Sequence, residues 1–154
     1  WAPTGAFTPT EPASPGKGYW SPMFTFGATA YLDAARTWSV SALGRYELHT
    51  EQKDTDITRG DDLHIEWGIG KTVVKGLDVG VAGFCHWQIT KDSGPGTDNL
   101  KDRVFAAGPE VAGMIKRVPL INRPMFLSLR ALWEFGAKDR PEGFRSVLTF
   151  TLPF

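Results

Sequence analysis

Apolar residues occupy alternate positions along most of the chain. Within residues 125–138, one parity reads Met-Leu-Leu-Ala-Trp-Phe-Ala and the other reads Phe-Ser-Arg-Leu-Glu-Gly-Lys. A period of two is the pattern of a β-strand with one apolar face, whereas a helix repeats every 3.6 residues. The same alternation recurs between turn signals along the chain, which predicts an all-β fold. The predicted strands, eight with a short first one, cover residues 1–7, 20–30, 38–49, 63–70, 77–90, 104–116, 125–138 and 144–154.

The links between these strands alternate in length. Long polar links cover residues 8–18, 50–61, 91–102 and 139–143, and shorter ones lie near residues 33–36, 74–76 and 117–123. One end of the predicted sheet therefore has long loops and the other has short turns. This layout is typical of an antiparallel up-and-down transmembrane β-barrel.

The second face of the predicted strands is rich in Gly, Ala, Ser and Thr, with scattered charges of both signs. Small residues fit the inside of a narrow barrel, whereas the solvated face of a soluble sandwich typically carries Lys, Glu and Thr. Bulky aromatic residues of the apolar face lie toward the strand ends, which resembles the girdles of membrane barrels. We therefore predict a single barrel domain over residues 1–154, with a soluble sandwich or lipocalin-like barrel as the alternative.

Composition narrows the class of protein further. Lys and Arg together number 17, as do Asp and Glu, so no net basic field attracts nucleic acid, and no nucleic-acid partner is expected. No apolar run reaches the roughly 18 to 20 residues of a membrane helix, which excludes a helical membrane protein and leaves a barrel possible. The single cysteine, Cys85, excludes a disulfide framework and a CxxC motif. The chain starts at Trp1 with no Met or signal peptide, so we expect a mature polypeptide or a fragment.

The last segment, residues 147–154, reads VLTFTLPF. Phe150, Leu152 and Phe154 share the parity of the apolar face. An aromatic residue in phase at the end of a final strand resembles the insertion signal of outer-membrane barrels. The partners expected from it are outer-membrane lipid and the barrel-assembly machinery.

Charged and imidazole side chains collect on the second face, which would line the lumen of a barrel. Nine of these residues are the candidate lumen and selectivity residues: Arg45, Glu47, His64, Glu66, His86, Glu110, Arg130, Glu134 and Arg145. Two interpretations remain open. The residues either form a polar lumen that selects solutes, or they form an ion-pair network that fills a narrow barrel.

A catalytic or metal-binding role has weaker support. Two histidines and two carboxylates near the long-loop end could bind a metal or transfer protons, and two serines are formal nucleophiles. These residues are His64, His86, Glu66, Glu47, Ser93 and Ser146. No GxSxG, HExxH or cysteine cluster accompanies them. We therefore expect no catalytic residue, no metal and no cofactor.

Six short motifs, in order along nearly the whole chain, resemble the phenol meta-pathway transporter family of bacterial outer-membrane channels. They are residues 2–5 (APTG), 18–22 (GYWSP), 59–64 (RGDDLH), 90–96 (TKDSGPG), 103–109 (RVFAAGP), and 134–135 (EF) before 140–143 (RPEG). The resemblance implies a Gram-negative outer-membrane channel for hydrophobic or aromatic compounds. It also implies barrels of about twelve strands, with segments before the APTG stretch. The chain is thus either the C-terminal part of such a barrel or a shorter barrel that closes with eight strands.

The function expected from sequence is passive diffusion of a small-molecule solute through a monomeric channel of the bacterial outer membrane. No covalent chemistry is expected, so the protein is not predicted to be an enzyme. The alternatives are a barrel enzyme that acts on lipid and a structural barrel that does not conduct.

Overall fold

The computed structural model describes residues 5, 7–8, 15–98, 100–118 and 123–152. All regular elements in these ranges are β-strands, as the alternating pattern predicts. They are β1 (Met23–Tyr31), β2 (Trp38–Glu47), β3 (Glu51–Gln52), β4 (Ile57–Thr58), β5 (Asp62–Val74), β6 (Leu77–Gln88), β7 (Arg103–Val118), β8 (Arg123–Lys138) and β9 (Phe144–Thr151). Of the predicted first strand, only Gly5 and Phe7 are described, and neither belongs to a strand. The described ranges contain no helix that is long and apolar enough to cross a membrane.

Seven strands form one antiparallel sheet in the order β1-β2-β5-β6-β7-β8-β9. Each strand pairs with the next long strand along the chain, which is the up-and-down arrangement expected from sequence. The short hairpin β3–β4 lies in the link between β2 and β5 and was not predicted. In the described part of the chain, β1 and β9 are the two edges of the sheet. The all-β antiparallel fold is confirmed, and the sheet in these residues is open rather than closed into a barrel.

The links alternate in length as predicted. Residues 32–37 and 75–76 form short turns at one end of the sheet, and residues 48–61, 89–102 and 139–143 form longer links at the other. The first short turn is held by Asp33, whose carboxylate accepts the N–H of Trp38 at 2.7 Å and the Thr37 hydroxyl at 2.8 Å. These hydrogen bonds, led by that from Trp38, stabilise the charged form and hold the pKa of Asp33 below its ordinary value.

In a soluble protein the apolar face of a sheet is buried, whereas in this sheet the apolar face is the exposed one. The face carrying Phe26, Leu129 and Phe150, here called the apolar face, leaves these side chains 79%, 48% and 60% exposed. The other face, called the charged face, carries the candidate lumen residues. It also holds the compact buried cluster of Phe84, Val104, Ala106 and Leu132.

A bulge at Gly136 corrects one prediction about these faces. Gly136 has a φ of 64°, and the register between β7 and β8 shifts between Arg103 and Phe105. Sequence alternation places Ala137 beside Phe135 on the apolar face. The structure instead packs Ala137 against the buried cluster on the charged face. The prediction for Ala137 is wrong because the extra residue of a bulge reverses the parity after it.

Candidate functional site on the charged face

Four of the predicted lumen residues form a continuous chain of ion pairs, here called the central cluster. Glu66 Oε1 accepts a hydrogen bond from Arg45 Nη1, and Glu66 Oε2 lies 3.9 Å from Arg130 Nη1. Arg130 also donates from Nε to Glu110 Oε1 at 2.7 Å. Two arginines and two glutamates thus balance one another, with Glu66 and Arg130 each contacting two partners.

The central cluster requires a curved sheet. Glu110 and Arg130 are directly opposite in the register of β7 and β8, but Glu66 lies on β5, three strand steps from β8. In a flat sheet those three steps would separate the two strands by about 14 Å, and side chains would stand parallel to one another. The 3.9 Å contact between Arg130 and Glu66 therefore places the charged face on the concave side of the sheet. Gly80 in the intervening strand β6 is directly opposite Glu110, and Gly68 of β5 lies beside the Glu110 carboxylate, since a Cβ at Gly68 would be 4.0 Å from Oε2.

A second group of predicted residues lies around Phe84. The guanidinium of Arg145 lies 4.8 Å from the centre of the Phe84 ring and donates from Nη2 to Glu134 Oε1 at 3.2 Å. The His64 ring stacks on Phe84 with a centroid distance of 5.3 Å, and His64 Nε2 is 3.7 Å from Glu66 Oε1. His64 therefore connects the aromatic stack to the central cluster.

Glu47 lies apart from the central cluster, at the long-loop end of β2. Its Oε1 atom is buried without a hydrogen-bond partner among the described residues, and His49 Nε2 lies 3.5 Å from it. The other ring nitrogen of His49 lies 2.7 Å from the carbonyl oxygen of Gly60. Glu47 and His49 thus belong to the rim of the sheet rather than to its centre.

His86 joins two aspartates that the sequence-based site did not include. His86 Nε2 lies 3.0 Å from Asp102 Oδ1 and 3.7 Å from Asp62 Oδ1, and the three ligand atoms lie within 4.8 Å of one another. We call Asp62, His86 and Asp102 the rim triad. The sequence-based metal candidate grouped His86 with His64, Glu66 and Glu47, whereas the structure gives His86 different carboxylate neighbours. The sequence offered a signal for one of the two aspartates: Asp62 has the same parity as His64, which places it on the charged face.

The long loops at this rim are tied to each other. Thr58 and Ser93 exchange two backbone hydrogen bonds of 2.8 Å, and the N–H of Gly60 donates to Asp92 Oδ1 at 2.8 Å. Asp61 accepts from the Tyr46 hydroxyl at 3.1 Å. The long polar link predicted over residues 50–61 contains the β3–β4 hairpin, and Thr58 of β4 is bonded to the loop of residues 91–102.

A cavity of about 600 Å³ lies on the charged face between the central cluster and the short-turn end of the sheet. Glu66, Glu110 and Arg130 border it on one side, and Asp78 and Phe126 also line it. Much of the remaining lining is small, contributed by Gly27, Ser39, Ser41, Gly68, Gly80 and Ala112. The cavity therefore combines a wide, weakly polar surface with one charged border.

The two serines proposed as formal nucleophiles lie away from an acid–base arrangement. Ser146 is exposed and pairs with Ala131, so it shares the apolar face with Leu148, opposite to the face of His64 and His86. Ser93 lies in the loop bridge with Thr58. Neither position juxtaposes a serine hydroxyl with the described histidines.

Comparison with known proteins identifies one family. A family model described as "Putative MetA-pathway of phenol degradation" matches residues 1–150. No curated protein and no solved structure matches the chain.

Proposed function

Since the chain belongs to the MetA-pathway of phenol degradation family, we propose that it forms an outer-membrane channel for small hydrophobic or aromatic compounds. The solutes diffuse passively along the charged face, without covalent chemistry. The channel is a closed, monomeric barrel of which the described sheet forms a large part. The family description ties the chain to phenol degradation, and the following features support the channel.

The exposed apolar face is the observation that carries this proposal. Large apolar side chains on it that are more than a third exposed include Phe24, Phe26, Ile69, Val79, Val81, Val111, Leu129, Trp133, Phe135, Phe144, Leu148 and Phe150. Leaving a large apolar side chain half in water costs roughly 1 kcal/mol, so the face as a whole costs on the order of 10 kcal/mol. Soluble monomers rarely expose an apolar patch of this extent. A hydrocarbon environment removes that cost.

Strand lengths and link lengths agree with a membrane barrel. Strands β5 to β8 contain 13, 12, 16 and 16 residues, and a tilted strand crosses a bilayer with about 9 to 11. The alternation of short turns and long links is also that of outer-membrane barrels. Within the proposed insertion signal, Phe150 lies exposed on the apolar face and Leu152 is exposed just after β9. Phe154 lies outside the described residues.

The charged face supports a lumen suited to uncharged solutes. The central cluster contains two cations and two anions that pair with one another, so its net charge is zero. A neutral, internally paired lining neither concentrates ions of one sign nor demands an ionic partner from the solute. The small residues beside it leave the open volume through which an aromatic molecule would pass.

Planar-bilayer recording of the complete protein tests the channel. We expect discrete conductance steps, and we expect Arg130→Glu to shift the reversal potential in a salt gradient toward cation selectivity. The matched control is Arg103→Glu, which changes the charge equally on an exposed residue opposite Trp87 of the apolar face. Conductance without steps, or equal shifts in both variants, would refute the proposed lumen.

A structural barrel that does not conduct is the second candidate, and the complete pairing of the central cluster favours it. In that case bilayers would stay silent, and liposomes containing the protein would not take up phenol faster than protein-free liposomes. A lipid-directed barrel enzyme would instead show lipid turnover that His64→Ala abolishes.

A further inference from the structure

The rim triad brings three potential metal ligands to one point on three neighbouring strands. Asp62 begins β5, His86 lies near the end of β6, and Asp102 directly precedes β7. The side chains of the triad are 16% to 31% exposed, so the site is partly buried and still accessible to solvent. The grouping depends on the strand register and is independent of the proposed channel.

Hydrogen bonds within the rim triad do not pair all three of its ligand atoms. Both carboxylates approach the same ring nitrogen, His86 Nε2, at 3.0 and 3.7 Å. One imidazole nitrogen carries at most one proton, so it serves the Asp102 oxygen at 3.0 Å, and the Asp62 oxygen at 3.7 Å lies beyond hydrogen-bond distance of it. The two aspartate oxygens also lie within 4.8 Å of each other and repel. A cation among the three atoms would satisfy all of them.

The distances agree with a small tetrahedral cation. Zn²⁺ binds His nitrogen and carboxylate oxygen at about 2.0–2.2 Å, which separates neighbouring ligand atoms by about 3.4 Å. The two separations from His86 Nε2, 3.0 and 3.7 Å, lie on either side of this value. An imidazole ligand favours zinc or a similar transition metal over Ca²⁺ and Mg²⁺, which prefer oxygen ligands.

The surroundings orient one of the ligands. Asp102 directs Oδ1 toward His86, while its Oδ2 lies 3.7 Å from Arg140 Nη1. Carboxylate ligands of metals are commonly held in this way by a second partner. The backbone N–H of Asp102 also donates to the side-chain oxygen of Gln88 at 3.4 Å.

We propose that the rim triad binds one divalent transition metal of the Zn²⁺ class through His86 Nε2 and one oxygen each from Asp62 and Asp102. Water completes the coordination. The bound metal joins the long-loop ends of β5, β6 and β7.

Calorimetric titration of the complete, tag-free protein in detergent with Zn²⁺ tests the site, and Co²⁺ absorption reports its geometry. We expect one metal per chain and the intense visible bands of tetrahedral Co²⁺. His86→Gln and Asp62→Asn should each weaken Zn²⁺ binding at least tenfold, and Arg140→Gln should weaken it less. The matched control His64→Gln removes a neighbouring imidazole of the same face and should bind as the parent does.

The proposal fails if the parent takes up no stoichiometric Zn²⁺, or if His86→Gln binds it as tightly as the parent. Equal loss in His64→Gln and His86→Gln would also overturn it, because the ligand set would then be a different one. Far-UV circular dichroism of each metal-free variant shows whether the sheet is intact. Asp62→Asn provides the decisive comparison if His86→Gln does not fold.

Discussion

The pairing of Glu110 with Arg130 is the contact of the central cluster whose strength the structure defines best. Arg130 Nε lies 2.7 Å from Glu110 Oε1, and the two side chains are 39% and 20% exposed. Hydrogen bonds to charged groups contribute about 1.5–3 kcal/mol to stability. Screening by water at the exposed arginine lowers this to roughly 1–2 kcal/mol. Glu110→Gln, Arg130→Met and their combination form a double-mutant cycle whose coupling energy should lie in that range.

Urea unfolding in lipid vesicles, followed by tryptophan fluorescence, measures the four stabilities. The control cycle uses Lys53 and Asp54, which are 3.9 Å apart with side chains 74% and 61% exposed. An exposed pair of this kind should couple by less than about 0.5 kcal/mol. The reasoning is refuted if the Glu110–Arg130 cycle gives a coupling no larger than that of the control, because both charges would then be independently solvated.

Two further predictions concern stability. The pKa of Asp33 lies below its ordinary value of 3.8, chiefly because its carboxylate accepts the Trp38 N–H. Its contribution to the free energy of unfolding should therefore be complete above pH 3.8 and decline as the pH falls through the lowered pKa. In Asp33→Asn, the urea midpoint should no longer fall in this way between pH 2 and pH 5. If the variant and the parent show the same dependence of the midpoint on pH, Asp33 does not cause the decline. Gly83→Ala should destabilise strongly, because a Cβ would lie 2.5 Å from the Trp67 ring, whereas Gly44→Ala meets its closest atom at 3.9 Å. By the same urea assay, equal midpoints for the two glycine variants would contradict this packing.

Alternation along the chain was sufficient to predict the seven long strands, their antiparallel order and the apolar face. The reason is geometric, since a period of two assigns each side chain to a face without reference to distant residues. Glu66 and Arg130 were placed on one face correctly. Their direct contact was not predictable, because it depends on the curvature of four strands.

The failures of prediction occur where a local irregularity or a loop decides the outcome. The bulge at Gly136 moved Ala137 to the other face, and a glycine inside a strand does not by itself show whether it bulges. The rim triad was missed because Asp102 lies in a link whose path the period does not determine. The β3–β4 hairpin has only two residues in each strand, too few for alternation to be recognised.

The contact between Arg130 and Glu66 has a mechanical consequence. Because it joins strands three steps apart on the concave side, flattening of the sheet must pull its two charges away from each other. The bending stiffness of this region therefore depends partly on electrostatic attraction, which dissolved ions weaken. Added salt should therefore lower the bending stiffness of the curved sheet of β5 to β8 while leaving its backbone hydrogen bonds intact.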